Sequence, residues 1–174
     1  MRNKNVLSSR IALNGKLLKV FVDKVVLPNG YTTRLEYIRH PGAVAVVPFL
    51  SSKRIILIRQ WRPVIRRFIW EIPAGTRDGK ESHARCARRE LIEEVGQTAK
   101  TIRKVGAIYT TPGFTDEFIW IYEARGLRPV RSTPERDEII VKKVFSAHEV
   151  RRMYRCGRIV DSKTIAALAK CGVL

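Results

Sequence analysis

The chain is short of acid. Its 174 residues carry 16 Asp and Glu against 34 Lys and Arg, a formal net charge of +18. Most of the bases therefore have no carboxylate to pair with, and ion-pair networks of the kind suited to heat can occupy only a minority of them. The excess predicts attraction to polyanions, or at least faster capture of small anionic ligands. Cysteine is equally sparse: Cys86, Cys156 and Cys171 are odd in number and far apart, with no Cys-x-x-Cys spacing. That excludes a disulfide framework and a thiolate metal site, and it predicts a reducing, cytoplasmic setting. His40, His83 and His148 are scattered too, so a zinc site is excluded and each reads as a surface or packing residue. Long apolar runs are missing. The longest, Ala43 to Leu50, has eight residues and contains Pro48, too short to span a bilayer. The polar start, through Asn5 and Ser8-Ser9-Arg10, does not resemble a signal peptide.

Further absences narrow the reading. The last four residues, Cys171-Gly172-Val173-Leu174, formally fit a prenylation signal. Gly172 is a poor fit, however, and no polybasic cluster lies immediately upstream, so the segment reads as a helix ending in a glycine cap. The string Gly157 to Thr164 lacks the second glycine of a phosphate-binding loop. There is no repeat, no low-complexity tract and no RNP-type aromatic motif, which argues against a nucleic-acid partner although the charge alone leaves one open. What is present is globular: 45% apolar and 8% aromatic residues suffice for a full hydrophobic core.

The scarce acids are unevenly spread. Five of the sixteen fall within Gly75 to Gln97, GTRDGKESHARCARRELIEEVGQ. Pro73, Gly75 and Asp78-Gly79 mark a loop, Ser82 is placed to cap a helix and Gly96 to stop it. On that helix Ala84, Ala87, Leu91 and Val95 form an apolar stripe, with Glu90 and Glu94 one turn apart on its edge and Glu93 beside them. Neighbouring like charges destabilise a helix, and Arg85, Arg88 and Arg89 are expected to project to the other side. A hard divalent cation with oxygen ligands would compensate, and Mg²⁺ uses one or two carboxylates plus substrate phosphates.

The rest of the chain orders itself around this helix. Residues 6 to 40 alternate as an antiparallel meander with turns at Asn14-Gly15 and Pro28-Asn29-Gly30. Three such strands are marginal alone and need a partner surface. From Pro41 the runs Ala43 to Leu50 and Ile55 to Ile58 read as strands buried on both faces. The arginine-rich run Arg59 to Arg67 holds Trp61, which like Trp70 reads as a packing aromatic. Phe68 to Ile72 then delivers Pro73-Ala74-Gly75 to the helix. Strands are predicted over 101–110, 118–124 and 138–145, the first two joined by Thr111-Pro112-Gly113-Phe114-Thr115-Asp116-Glu117. Ser146-Ala147-His148-Glu149 is a capping box for a helix to about Arg155. Asp161 or Ser162 starts a last helix with Ile165, Leu168 and Ala169 facing inward.

The order Gly75, Glu81, Arg89-Glu90-Leu91, Glu93-Glu94, Gly96 resembles the Nudix box of nucleoside diphosphate-X hydrolases. One position departs, since Gln97 stands where an aliphatic residue is expected. RQWRP, EIPAG, the box and TPGFTDE together resemble the ADP-ribose pyrophosphatase family, with Pro112 fifteen residues beyond the box.

That resemblance implies an α/β fold, a Nudix-type α/β/α sandwich around a mixed sheet in residues 41–174. Before it, in residues 1–40, comes an antiparallel meander that forms a homodimer. It implies Mg²⁺, with Mn²⁺ a possible substitute, held by the Ala74 carbonyl, Glu90 and Glu94 with Glu93 close by. Substrate contacts are implied at Arg34 and Glu36, offered by the partner to the adenine end, at Leu17 and Gly113, and at Arg62 and Glu81 near the phosphates and ribose. The implied reaction is Mg²⁺-dependent hydrolysis of a pyrophosphate link, with Glu117 as general base and Glu93 as the second candidate. ADP-ribose is the first substrate expected, another nucleoside diphosphate sugar or a dinucleoside polyphosphate the second, and no membrane is involved.

Overall fold

The computed structural model describes residues 5–15, 18–132 and 139–174. The chain forms two compact units, Met1–Pro41 with Tyr109–Phe118, and Gly42–Ile108 with Ile119–Leu174.

In the first unit β1 (Val6–Asn14), β2 (Lys19–Val26) and β3 (Thr32–Ile38) make an antiparallel sheet in sequence order. Gly30, at φ +83°, supplies the left-handed residue of the β2–β3 turn. The segment 109–118 joins this unit through backbone bonds, Ile38 N–H to the Phe114 carbonyl at 2.8 Å and Asp116 N–H to the Ile38 carbonyl at 3.2 Å.

The second unit is built on β4 (Ala43–Ser51), β5 (Arg54–Arg62), β6 (Arg67–Glu71), β7 (Ala74–Thr76), β8 (Gln97–Tyr109), β9 (Phe118–Pro129) and β10 (Ile140–Ser146). The sheet runs β10-β5-β4-β9-β8, with β6 pairing β5 and β7 pairing β4. It is mixed, because β4 and β9 run parallel, Ala43 opposite Ile119, while β10 and β5 are antiparallel. Among the described residues three helices complete the unit: α1 (His83–Val95), α2 (Ala147–Arg155) and α3 (Ser162–Lys170).

The continuous apolar runs work as two alternating sets. Ala43, Ala45, Val47, Ile55 and Leu57 face a core completed by Val150 and Met153 of α2 and Ala167 and Leu168 of α3. Val44, Val46, Ile56 and Ile58 face the opposite core, completed by Cys86, Ala87, Leu91 and Val95 of α1. The result is the α/β/α sandwich. Trp70 packs on the first core, edge to face with Phe145.

The helix ends follow the cap residues. Ser82 Oγ accepts from Arg85 N–H and Gly96 closes α1 at φ 64°. Ser146 and Glu149 form the reciprocal capping box of α2. Asp161 caps α3, and Gly172, at φ +68°, follows its C-cap Cys171.

Four expectations need correction. Ala84 is exposed and Cys86 takes its place in the buried stripe of α1, because the face against the sheet lies one position further round. In α3 Ala169 is exposed, while Thr164 and Ala167 point inward with Leu168. Thr164 goes inside because its hydroxyl accepts the Ile72 N–H at 3.0 Å and donates to Asp161 at 2.6 Å. Strand β8 starts at Gln97, directly after the helix, and β9 continues to Pro129, since sheet pairing holds polar segments that local pattern leaves as loop. Among the described residues no helix is long and apolar enough to cross a membrane.

Candidate functional site

Strand β7 brings the loop to the helix. Its register against β4, Val44 opposite Gly75 and Ala45 opposite Ala74, sets the backbone of Ala74 and Gly75 beside the acidic edge of α1. Ala74 N–H donates to Glu94 Oε2 at 2.9 Å. At Gly75 a Cβ would lie 2.0 Å from Glu90 Oε1. Space, not conformation, requires glycine there. Glu90 and Glu94 are buried, 6% and 5% exposed.

Arg89 overturns the expectation that all three arginines turn away. Arg88 does turn away, donating to the Ala99 carbonyl at 2.9 Å. Arg89 folds back into the acids: Nη1 donates to Glu90 Oε1 at 2.7 Å and to Glu93 Oε2 at 2.8 Å, and Nη2 donates to Glu81 Oε1 at 2.9 Å and to the Thr76 carbonyl at 3.0 Å. Glu93 lies one turn beyond it, within reach of a long side chain, and the loop returns Glu81 to the same point. Three carboxylates thus share one guanidinium by hydrogen bond, and Asp78 Oδ2 lies 3.8 Å from its Nε. Cys86, beneath them, is a thiol: burial first, and then its hydrogen bond to Glu81, pushes it up to about 12.

The Arg89 hydrogen bond, aided by the Asp78 backbone N–H and opposed by burial, holds the Glu81 carboxyl down at about 2. A depressed carboxylate contributes stability above its unfolded value near 4.5 and loses it as pH falls through the folded value. Urea melts are therefore expected to hold level above about pH 5 and weaken from about pH 4.5 towards pH 2. A Glu81→Gln chain that weakens as much over the same window would refute this source of acid sensitivity.

Glu71, at the end of β6, went unnoticed in the sequence and is wholly buried. Arg62 grips it through Nε and Nη2, both at 2.7 Å, and Lys163 of α3 donates to the same carboxylate. Arg62 also lies close enough to Glu94 to be influenced by its charge.

In the first unit, Glu117 accepts from Thr110 Oγ1 at 2.7 Å and lies 3.6 Å from His40 Nε2. Glu36 and Gly113 line one cavity of about 450 Å³ with Asp23, Tyr37 and Phe114. Arg34 lines a separate recess of about 330 Å³ with Ser8, Arg10 and Lys24. Leu17 lies outside the described residues.

With the geometry in view, comparison with known proteins is decisive. The NUDIX domain model matches residues 39–168. The chain belongs to the Nudix family. An ADP-ribose pyrophosphatase of Bacillus subtilis is 36% identical over 89% of this chain and 85% of its own length. One of Mycobacterium tuberculosis is 35% identical over 93% and 80%. A solved ADP compounds hydrolase superposes with a TM-score of 0.86 over 95% of this chain and 90% of that one, at 21% identity, a likeness of fold. The chain is a Nudix hydrolase, and α1 with its approach loop is its Nudix box.

Nudix hydrolases generally use divalent cations. Among the described residues no three Asp, Glu, His or Cys side chains converge as a ligand set, Arg89 drawing oxygens of Glu90 and Glu93 to itself. The donors nevertheless fit such an ion: they are hard oxygens, two of them, on Glu90 and Glu93, hydrogen-bonded by the one Arg89 guanidinium, and the bare Cα of Gly75 leaves Glu90 its space.

Proposed function

We propose that this Nudix hydrolase cleaves the pyrophosphate link of ADP-ribose to AMP and ribose 5-phosphate, using Mg²⁺ or, in its place, Mn²⁺. The observation that carries the reading is the gathering of Glu81, Glu90 and Glu93 by Arg89 against Gly75, in a chain whose relatives include ADP-ribose pyrophosphatases. Glu90, Glu94 and the Ala74 carbonyl would hold the cation, with Glu93 close by. Bound divalent cations supply Lewis acidity, screening phosphoryl charge and lowering the pKa of a bound water.

The chain's own groups do the rest. Arg62 takes phosphate oxygens with its planar guanidinium, and Glu81 lies near the phosphates and ribose. Arg34 and Glu36, offered by the second copy of a homodimer formed through residues 1–40, contact the adenine end, and Leu17 and Gly113 are further substrate contacts. Residues 41–174 form the catalytic domain. Glu117 removes the proton of the attacking water, its carboxylate held by Thr110 and faced by His40. Glu93, already engaged by Arg89, is the second choice.

The test is AMP release from ADP-ribose, measured against GDP-mannose and diadenosine polyphosphates with Mg²⁺. A clear preference for ADP-ribose is expected. Equal or better turnover of either competitor sinks the substrate assignment.

A further inference from the structure

Resting on that reading, we propose that Glu71 is a positioning residue for Arg62: it fixes the guanidinium so that its Nη1 edge faces a substrate phosphate, with Lys163 bracing the carboxylate from α3.

The geometry is directional. Glu71 accepts from Nε and Nη2 of Arg62 at 2.7 Å each, the paired contact that a planar fork makes along one edge. That leaves the two Nη1 hydrogens on the edge turned away from the carboxylate. The Arg62 side chain is 39% exposed although Glu71 is not exposed at all, so the open part of the guanidinium is its outer part. Arg62 also feels the charge of Glu94 on α1.

The carboxylate is fixed in turn. Lys163 Nζ donates to Glu71 and lies 3.0 Å from Asp161 Oδ2. Asp161 accepts the Thr164 N–H at 2.9 Å, and Thr164 Oγ1 accepts the N–H of Ile72, the residue after Glu71. Strands β5 and β6 and the start of α3 thus converge on one buried carboxylate. Burial opposes its ionisation, but Arg62 and Lys163 outweigh burial and hold its pKa below the usual carboxylate value.

Stability alone does not call for this arrangement. A buried ion pair pays heavily for desolvation, and apolar side chains of similar volume often serve a core as well or better. What the pair supplies is a fixed orientation for a side chain that otherwise samples many rotamers.

Steady-state kinetics with ADP-ribose and Mg²⁺ test this, alongside ADP binding by calorimetry, which needs no turnover. Glu71→Gln is expected to raise KM and the ADP dissociation constant about tenfold or more, with a smaller fall in kcat. In an Arg62→Ala background the same substitution is expected to add nothing further to either. Arg62→Lys, which keeps the charge and loses the fork, is expected to match Glu71→Gln. A Glu71→Gln chain that melts like wild type with unchanged KM, or one that weakens binding equally without Arg62, overturns the proposal. If Glu71→Gln does not fold, Arg62→Lys decides, and a wild-type KM there overturns it. Preference for another nucleoside diphosphate sinks only the substrate assignment, because the comparison then runs on that substrate. A wild-type chain that neither binds nor cleaves any of them sinks both.

Discussion

Arg89→Met is expected to cost about 3 kcal/mol of stability, lowering Tm by roughly 10 °C, and to reduce kcat/KM by about 100-fold. The guanidinium is the shared partner of Glu81, Glu90 and Glu93, with the Thr76 carbonyl on the same nitrogen as Glu81. Methionine keeps the length and the apolar stem but leaves three carboxylates facing one another with reduced access to water. Removing one partner of a buried charge cluster costs more than the cluster contributes net, because the remaining charges stay behind. Glu81 should respond most visibly. It loses the hydrogen bond that does most to depress it, so its titration moves up towards the usual carboxylate range, and the acid limb of the stability curve moves with it. Thermal melts across pH, with kinetics at neutral pH, are the measurement. A Tm within about 2 °C of wild type would show that Arg89 does not bind the cluster together.

Gly75→Ala should separate activity from stability. The added Cβ would lie 2.0 Å from Oε1, 2.2 Å from Cδ and 2.5 Å from Oε2 of Glu90. The obstruction is the far end of a flexible side chain, so the protein can yield by swinging the carboxylate away. Glu90 then leaves the place where Arg89 holds it and where a cation would use it. Displacement of a reacting group by about 1 Å costs roughly 100-fold in rate. The expected result is a fall in kcat of about that size with Tm lowered by only a few degrees, roughly 1 kcal/mol. Retained kcat would mean that Glu90 is not a ligand, and a collapsed fold would mean that Gly75 serves packing alone.

Much of the architecture could be read from residues because its causes are local. Ser82, Gly96, Ser146 and Asp161 end helices through their own side chains or backbone freedom, and the structure has each of them in that role. The alternation of residues 6–38 and the double-sided runs at Ala43 and Ile55 likewise follow from a period of two and its loss. The box spacing identified the family, since Gly75, Glu81, Arg89 and the carboxylates have to occur at fixed intervals along one loop and one helix.

The partners of those residues were decided elsewhere. A helical wheel sends Arg89 outward, and only the return of the loop, pinned by β7 against β4, places Glu81 where Arg89 gathers it with Glu90 and Glu93. Glu71, Arg62 and Lys163 are up to about a hundred residues apart in the chain, and no periodicity links them. They meet because β5, β6 and the start of α3 converge. His40 and Glu117 meet through the pairing of β3 with the 109–118 segment. The sequence by itself determined which elements form and which carboxylates lie on α1, because caps and periodicity act over a few residues. Only the tertiary structure decided which cation answers which acid, because a charge selects its partner by distance through space, and that distance exists only once the strands are paired.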